Sequence, residues 1–186
     1  EMGRYLKWSI MLKESLYYSK ILLFGEYGII HDSMGLSIPY NDYNGKLLFS
    51  TNPDGNSIDS NRKLEKFFLH LKGLEAKGKL PCALNLNKFR KDLDKGMHFD
   101  SSIPQGFGVG SSGAIVAAIY DNYSVDKITS DANMSNENFI ELKKIFGTLE
   151  SYYHGKSSGL DPLICYLNLP VLIKSKSEVG TVGLPD

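Results

Sequence analysis

The chain has 186 residues with 21 basic and 21 acidic side chains, 42% hydrophobic and 23% charged residues. That is ordinary globular composition for one domain with a real core, and the balanced charge argues against broad electrostatic binding to nucleic acid or anionic membrane. The longest apolar run, Ala114 to Tyr120, is far short of the ~20 residues a membrane helix needs, and the separated Cys82 and Cys165 make neither a disulfide framework nor a metal cluster.

A soluble cytoplasmic protein without nucleic-acid or membrane partners is therefore expected. Residues 1–18 mix charge with short apolar pieces and lack a signal-peptide pattern, so they are expected to be an N-terminal extension outside the functional part. From Ser19, four consecutive apolar residues closed by Gly25 predict a buried strand running into a turn. Leu36 to Ser50 predicts a hairpin, with Ile38-Pro39-Tyr40 and Lys46 to Phe49 flanking the turn formers Asn41 to Gly45. Asn52 to Asn56 reads as a loop, and Ser60 to Leu74 as a helix with Leu64, Phe67, Phe68 and Leu71 on one stripe.

Met97 to Ile103 alternates like a half-buried strand. A glycine-rich stretch, Gly106 to Gly113, leads straight into an apolar helix over Ala114 to Tyr120. Asn136 to Tyr153 predicts a second long helix, and Pro162 to Lys174 a strand pair turned at Asn168-Leu169-Pro170. Strands and helices mix without regular alternation, which favours α+β over a doubly wound sheet.

Three clusters could carry chemistry. In Pro104-Gln105-Gly106-Phe107-Gly108-Val109-Gly110-Ser111-Ser112-Gly113 the glycines let backbone N–H groups converge on an anion, and a helix starting at Ser111 or Ser112 adds its unpaired donors and dipole. A serine hydroxyl there could also reach a magnesium ion bridging phosphates. The bland alternative is a flexible turn with Ser111 as a plain N-cap. No Gly-Lys-Ser/Thr follows, which excludes a Walker loop. Gly108 to Gly113 spells a dinucleotide fingerprint, but the half-polar stretch before it, ending in Pro104, argues against the buried strand that fingerprint requires.

The second cluster runs from Glu150 to Pro162. Glu150 and His154 lie one helical turn apart, Gly155 can end the helix, and Gly159 allows a bend that presents Asp161. One carboxylate could hold a metal while the other orients a nucleophile; the bland reading leaves Glu150 solvated and Asp161 in a turn. A hydrolase built on Ser158, His154 and Asp161 would lack a nucleophile elbow. The third cluster is Lys20, followed by Glu26, Tyr27 and His31. A lysine near Asp161 would favour the ionised acid and stabilise charge developing on phosphoryl oxygens.

Together these clusters resemble the GHMP kinase superfamily, and within it the mevalonate kinases. Ser19 to Glu26 is similar to the superfamily's first motif and Pro104 to Ala114 to its glycine-rich second. His154-Gly155-Lys156-Ser157-Ser158-Gly159-Leu160-Asp161 resembles the histidine-glycine-x-x-serine-glycine-x-aspartate run of mevalonate kinases. The resemblance implies a ribosomal-protein-S5-domain-2-like fold, a mixed sheet with a left-handed crossover packed by helices. It implies ATP and Mg2+ as cofactors, and transfer of the γ-phosphoryl group to the C5 hydroxyl of mevalonate or a similar alcohol in isoprenoid precursor synthesis. A phosphomevalonate or sugar kinase is the alternative, as is a non-catalytic nucleotide-binding fragment.

By position, the resemblance gives Asp161 and Lys20 as catalytic residues, and Pro104, Gly106, Gly108, Gly110, Ser111 and Ser112 as the phosphate cradle. It gives Ser112 and Glu150 as magnesium contacts, Glu26, His31 and Ser158 as substrate contacts, and allows a homodimer. Tyr18 and Ser19 stand where the family has proline and glycine, Tyr27 where it commonly has histidine, Ser157 where it has proline, and Pro162 where a polar residue is usual. Residues 19–186 are expected to be the ATP-binding N-terminal domain, with the C-terminal domain of such kinases absent from the chain. The whole reading requires Lys20 and Asp161 to meet beside the bend from Gly106 to Ser112.

Overall fold

A computed structural model describes residues 15–25, 34–129, 134–175 and 178–181. Strands β1 (Tyr17–Phe24) and β2 (Gly35–Phe49) precede helices α1 (Gly55–Ala76) and α2 (Leu86–Asp94). Strand β3 (Met97–Ser101) follows, then α3 (Ser111–Tyr123), α4 (Asn136–His154) and α5 (Leu160–Leu167), and the short strands β4 (Val171–Ile173) and β5 (Val179–Thr181). The class is α+β. Every strand pairing among the described residues is antiparallel, where the resemblance implies a mixed sheet.

Strand β2 is the hub. One of its edges carries β1; the other carries β4 beside Gly35 to Ser37 and β3 beside Gly45 to Phe49. Here the structure corrects the expected hairpin. The tract Asn41-Asp42-Tyr43 does not reverse the chain; Tyr18 pairs with Asn44 while Ser19 pairs with Tyr40, so the three residues bulge out, exposed, from a continuous strand. Turn-forming residues satisfy a bulge as readily as a hairpin loop. The flanking halves find different partners (β3 and β4), so the strand gains more by running on than by folding back on itself.

Two other boundaries move. Helix α1 starts within the expected loop, because the Asp54 carboxylate accepts the Ser57 N–H at 2.8 Å and caps it. The expected strand pair over Pro162 to Lys174 is instead helix α5 followed by β4. Pro162 sits in the first helical turn, where a missing N–H costs nothing, and Asn168 ends the helix in the left-handed conformation (φ 50). Helix α2 falls where no element is expected; Leu86, Phe89 and Leu93 face the core from a charged segment, with Asp92 buried beside them and accepting the Tyr123 hydroxyl.

Helices α3 and α5 pack on each other and against β1 and β2, α4 packs on both, and α1 covers β3. Tyr120 of α3, Phe146 of α4 and Tyr166 of α5 meet with ring centroids 5.1 to 5.6 Å apart, joining the three helices at one point of the core. Strand β1 begins at Tyr17, whose buried hydroxyl donates to Asp121 of α3 at 2.8 Å. Among the described residues no helix is long and apolar enough to cross a membrane.

Candidate active site

The five helices are entered in two different ways. Asp54, Asn85 and Ser135 cap α1, α2 and α4 with their side chains. Helix α3 starts after Gly110 and α5 after Gly159, both left-handed and without a side-chain cap. The first N–H groups of α3 are thus left to bind something else, whereas the Leu160 N–H of α5 donates to the Ser158 hydroxyl at 3.4 Å; both ends border the clusters singled out in the sequence. Ser111 is the first helical residue of α3, not its cap.

The glycine stretch turns through three left-handed residues, Gly106 (φ 83), Gly108 (φ 69) and Gly110 (φ 89). It runs along the edge of β1 opposite β2, where the Lys20 N–H donates to the Val109 carbonyl at 3.0 Å. That contact puts the lysine stem against Gly110: a Cβ built there would lie 3.1 Å from Lys20 Cγ and 3.4 Å from Cys165 Sγ. The Lys20 ammonium then reaches across to Asp161, Nζ to Oδ1 3.0 Å, with side chains 10% and 34% exposed. Lys20 and Asp161 meet beside the glycine bend, as the sequence reading requires.

Asp161 arrives there because α3 and α5 touch at Gly113. A Cβ at Gly113 would stand 2.8 Å from the Asp161 carbonyl carbon and 2.9 Å from Pro162 N, so only a glycine admits the backbone of α5 this close. The loop before Asp161 is pinned likewise: a Cβ at Gly159 (φ 75) would fall 2.0 Å from the Lys143 carbonyl oxygen of α4.

Ser112 and Glu150 also come together. The Ser112 hydroxyl lies 3.0 Å from Glu150 Oε1 and 3.0 Å from His154 Nε2. The other carboxylate oxygen, Oε2, accepts a short hydrogen bond from Ser157, whose oxygen in turn receives the Gly159 N–H at 3.0 Å. Glu150 is buried, 3% exposed. Burial foremost, with the nearby Asp161 charge, raises its carboxyl above the ordinary value, while the Ser157 and Ser112 hydroxyls and His154 pull it down.

A hydroxyl and a carboxylate oxygen 3.0 Å apart are hard donors of the kind Mg2+ takes together with substrate phosphates, so this donor set fits that ion. Among the described residues no group of three or more His, Cys, Asp or Glu gathers into a self-sufficient metal centre.

A groove of about 1110 Å³ opens beside the loop, walled by Gly106, Ser111, Ser112 and His154 and by Ser57 and His98 from α1 and β3. Lys20 and Asp161 lie outside those walls. Of the remaining predicted residues, Pro104, Gly106 and Gly108 line the bend, Ser158 is exposed just before Asp161, and Glu26 and His31 lie outside the described residues. Sequence reasoning missed two supports. Ser157 registers there only as a departure from the family pattern, although a hydroxyl beside a buried acid is a signal for it. Gly113 looks like a mere small residue, because its close contact is tertiary.

The GHMP kinases N terminal domain model matches residues 77–168, a span that holds the glycine bend, Glu150 and Asp161 but not Lys20. No curated protein matches the sequence. Among solved structures, mevalonate kinase from methicillin-resistant Staphylococcus aureus MRSA252 is similar at 21% identity and a TM-score of 0.48, over 90% of this chain and 54% of that one. Mevalonate kinase from L. major, in complex with R-mevalonate, is similar at 18% identity and a TM-score of 0.49, over 87% of this chain and 48% of that one. The chain thus spans about half the length of these two proteins.

Proposed function

We propose that the protein, whose residues 77–168 match the GHMP kinases N terminal domain model, transfers the γ-phosphoryl group of ATP to a small-molecule alcohol, the C5 hydroxyl of mevalonate, with residues 19–186 as its nucleotide-binding domain. The observation that carries this reading is the Lys20–Asp161 pair, 3.0 Å apart, next to a glycine bend whose helix has no side-chain cap. The choice of mevalonate rests on the run from His154 to Asp161.

The roles follow from the chemistry. Amides of Gly106 to Ser112 hold the phosphates, and the groove of about 1110 Å³ leading from Ser112 has room for the nucleoside. Ser112 and Glu150 hold Mg2+, which when bound neutralises charge on the phosphate oxygens. Outside the groove walls, Asp161 accepts the hydrogen bond of the acceptor hydroxyl and aims its oxygen at the γ-phosphorus. As the new P–O bond forms, the bond to the β,γ-bridging oxygen breaks, ADP departs, and the hydroxyl proton passes to Asp161. Lys20, paired with Asp161 at 3.0 Å, orients it, and its charge offsets that gathering on the transferred group. Most of the rate comes from positioning, since little covalent chemistry is asked of the protein. Ser158, and Glu26 and His31 outside the described residues, are assigned to substrate contact.

The test is Asp161→Asn. ADP release from ATP, magnesium and mevalonate should fall at least about a thousandfold, with nucleotide binding and the circular dichroism spectrum retained. Turnover equal to that of the unaltered protein would remove Asp161 from the mechanism and the phosphotransfer reading with it.

A further inference from the structure

We propose that His154 is a positioning residue for the cation pair Ser112 and Glu150: its Nε2 takes the Ser112 hydroxyl proton and so frees the oxygen's lone pairs for the metal. The inference rests on the phosphotransfer reading above and deepens it.

A serine hydroxyl has one proton and two lone pairs. Two acceptors stand equally close to Ser112 Oγ, Glu150 Oε1 and His154 Nε2, each at 3.0 Å. When the proton points at Glu150, it lies between the two oxygens that would share a cation. A cation seated on both oxygens repels that proton, so the O–H must turn elsewhere.

His154 is where it can turn. A neutral imidazole offers one nitrogen as an acceptor, and Nε2 is already within hydrogen-bond distance. Ser157 cannot take this part, because its hydroxyl is engaged with Glu150 Oε2 and the Gly159 N–H. The placement of the ring follows from helix α4: His154 lies one turn beyond Glu150 on the same face, and Gly155 ends the helix directly behind it. The ring also walls the groove. A metal-bound hydroxyl is a stronger donor than a free one, so the Ser112–His154 bond strengthens only when the cation is present. His154 should therefore act on the metal-dependent part of nucleotide affinity.

Calorimetry with the imido analogue of ATP, with and without Mn2+, reads that part as the ratio of the two dissociation constants. His154→Phe keeps the ring and removes both nitrogens; His154→Gln restores a side-chain acceptor. Phe should lower the ratio about tenfold, the worth of one charge-assisted hydrogen bond, and Gln should recover most of it. An unchanged ratio in His154→Phe overturns the proposal. An equal loss of affinity with and without Mn2+ also overturns it, since His154 would then be a plain nucleotide contact. Absence of metal-dependent nucleotide binding in the unaltered protein overturns the phosphotransfer reading, and this proposal falls with it.

Discussion

Lys20 shows how much one side chain depends on its surroundings. By itself it is a lysine in a strand; held at the edge of β1 by the Val109 carbonyl and turned toward Asp161, it becomes a nearly buried cation with a single destination. Lys20→Met should cut kcat about a hundredfold or more while sparing nucleotide affinity, because Lys20 lies outside the groove; steady-state kinetics beside a binding titration checks this. Glu150 carries the opposite burden. Its carboxyl is raised above the ordinary 4.5, burial being the main cause, so the folded protein binds this proton more readily than the unfolded chain. Stability contributed by the group therefore falls as pH climbs from 4.5 through the raised folded value. Glu150→Gln should melt above the unaltered protein at neutral and alkaline pH and lose that advantage on acidification toward 4.5, read as Tm across a pH series. A carboxylate kept at such a cost fits a group retained for binding.

At the scale of elements, the site is set by how closely helices approach. Gly113 lets α5 rest on α3, and Gly159 lets the preceding loop rest on α4. Gly113→Ala should cost about 1–3 kcal/mol and displace Asp161 from Lys20, lowering kcat more than nucleotide affinity. Gly159→Ala should cost more, since its Cβ would meet a carbonyl oxygen at 2.0 Å and the residue needs φ 75. Urea denaturation of both variants gives the order; equal midpoints would contradict it. The long helices α3 and α4 were legible in the sequence from their apolar stripes, and the glycine bend from its composition. The β2 bulge and helix α5 were not. In each, the local residues (Asn41 to Tyr43, Pro162) suit two conformations, and a distant partner decides between them.

For the molecule as a whole, the three site-bearing helices share one anchor. Phe146 packs edge-on against Tyr120 and Tyr166, so the elements that carry Ser112, Glu150 and Asp161 are tied through a single ring. Phe146→Ala should cost about 3–5 kcal/mol and loosen nucleotide binding along with stability, measured by urea midpoint and calorimetry. By itself the sequence determined the residue types: a glycine bend able to hold phosphate, two carboxylates bracketing a loop, and a lysine near the start of a strand. These are local properties, written in composition and spacing. Only the tertiary structure decided that Lys20 meets Asp161, that Ser112 stands between Glu150 and His154, and that Gly113 sets the depth of α5. Such contacts join segments far apart in the chain, and their geometry depends on packing distances of a few tenths of an ångström that no local pattern encodes.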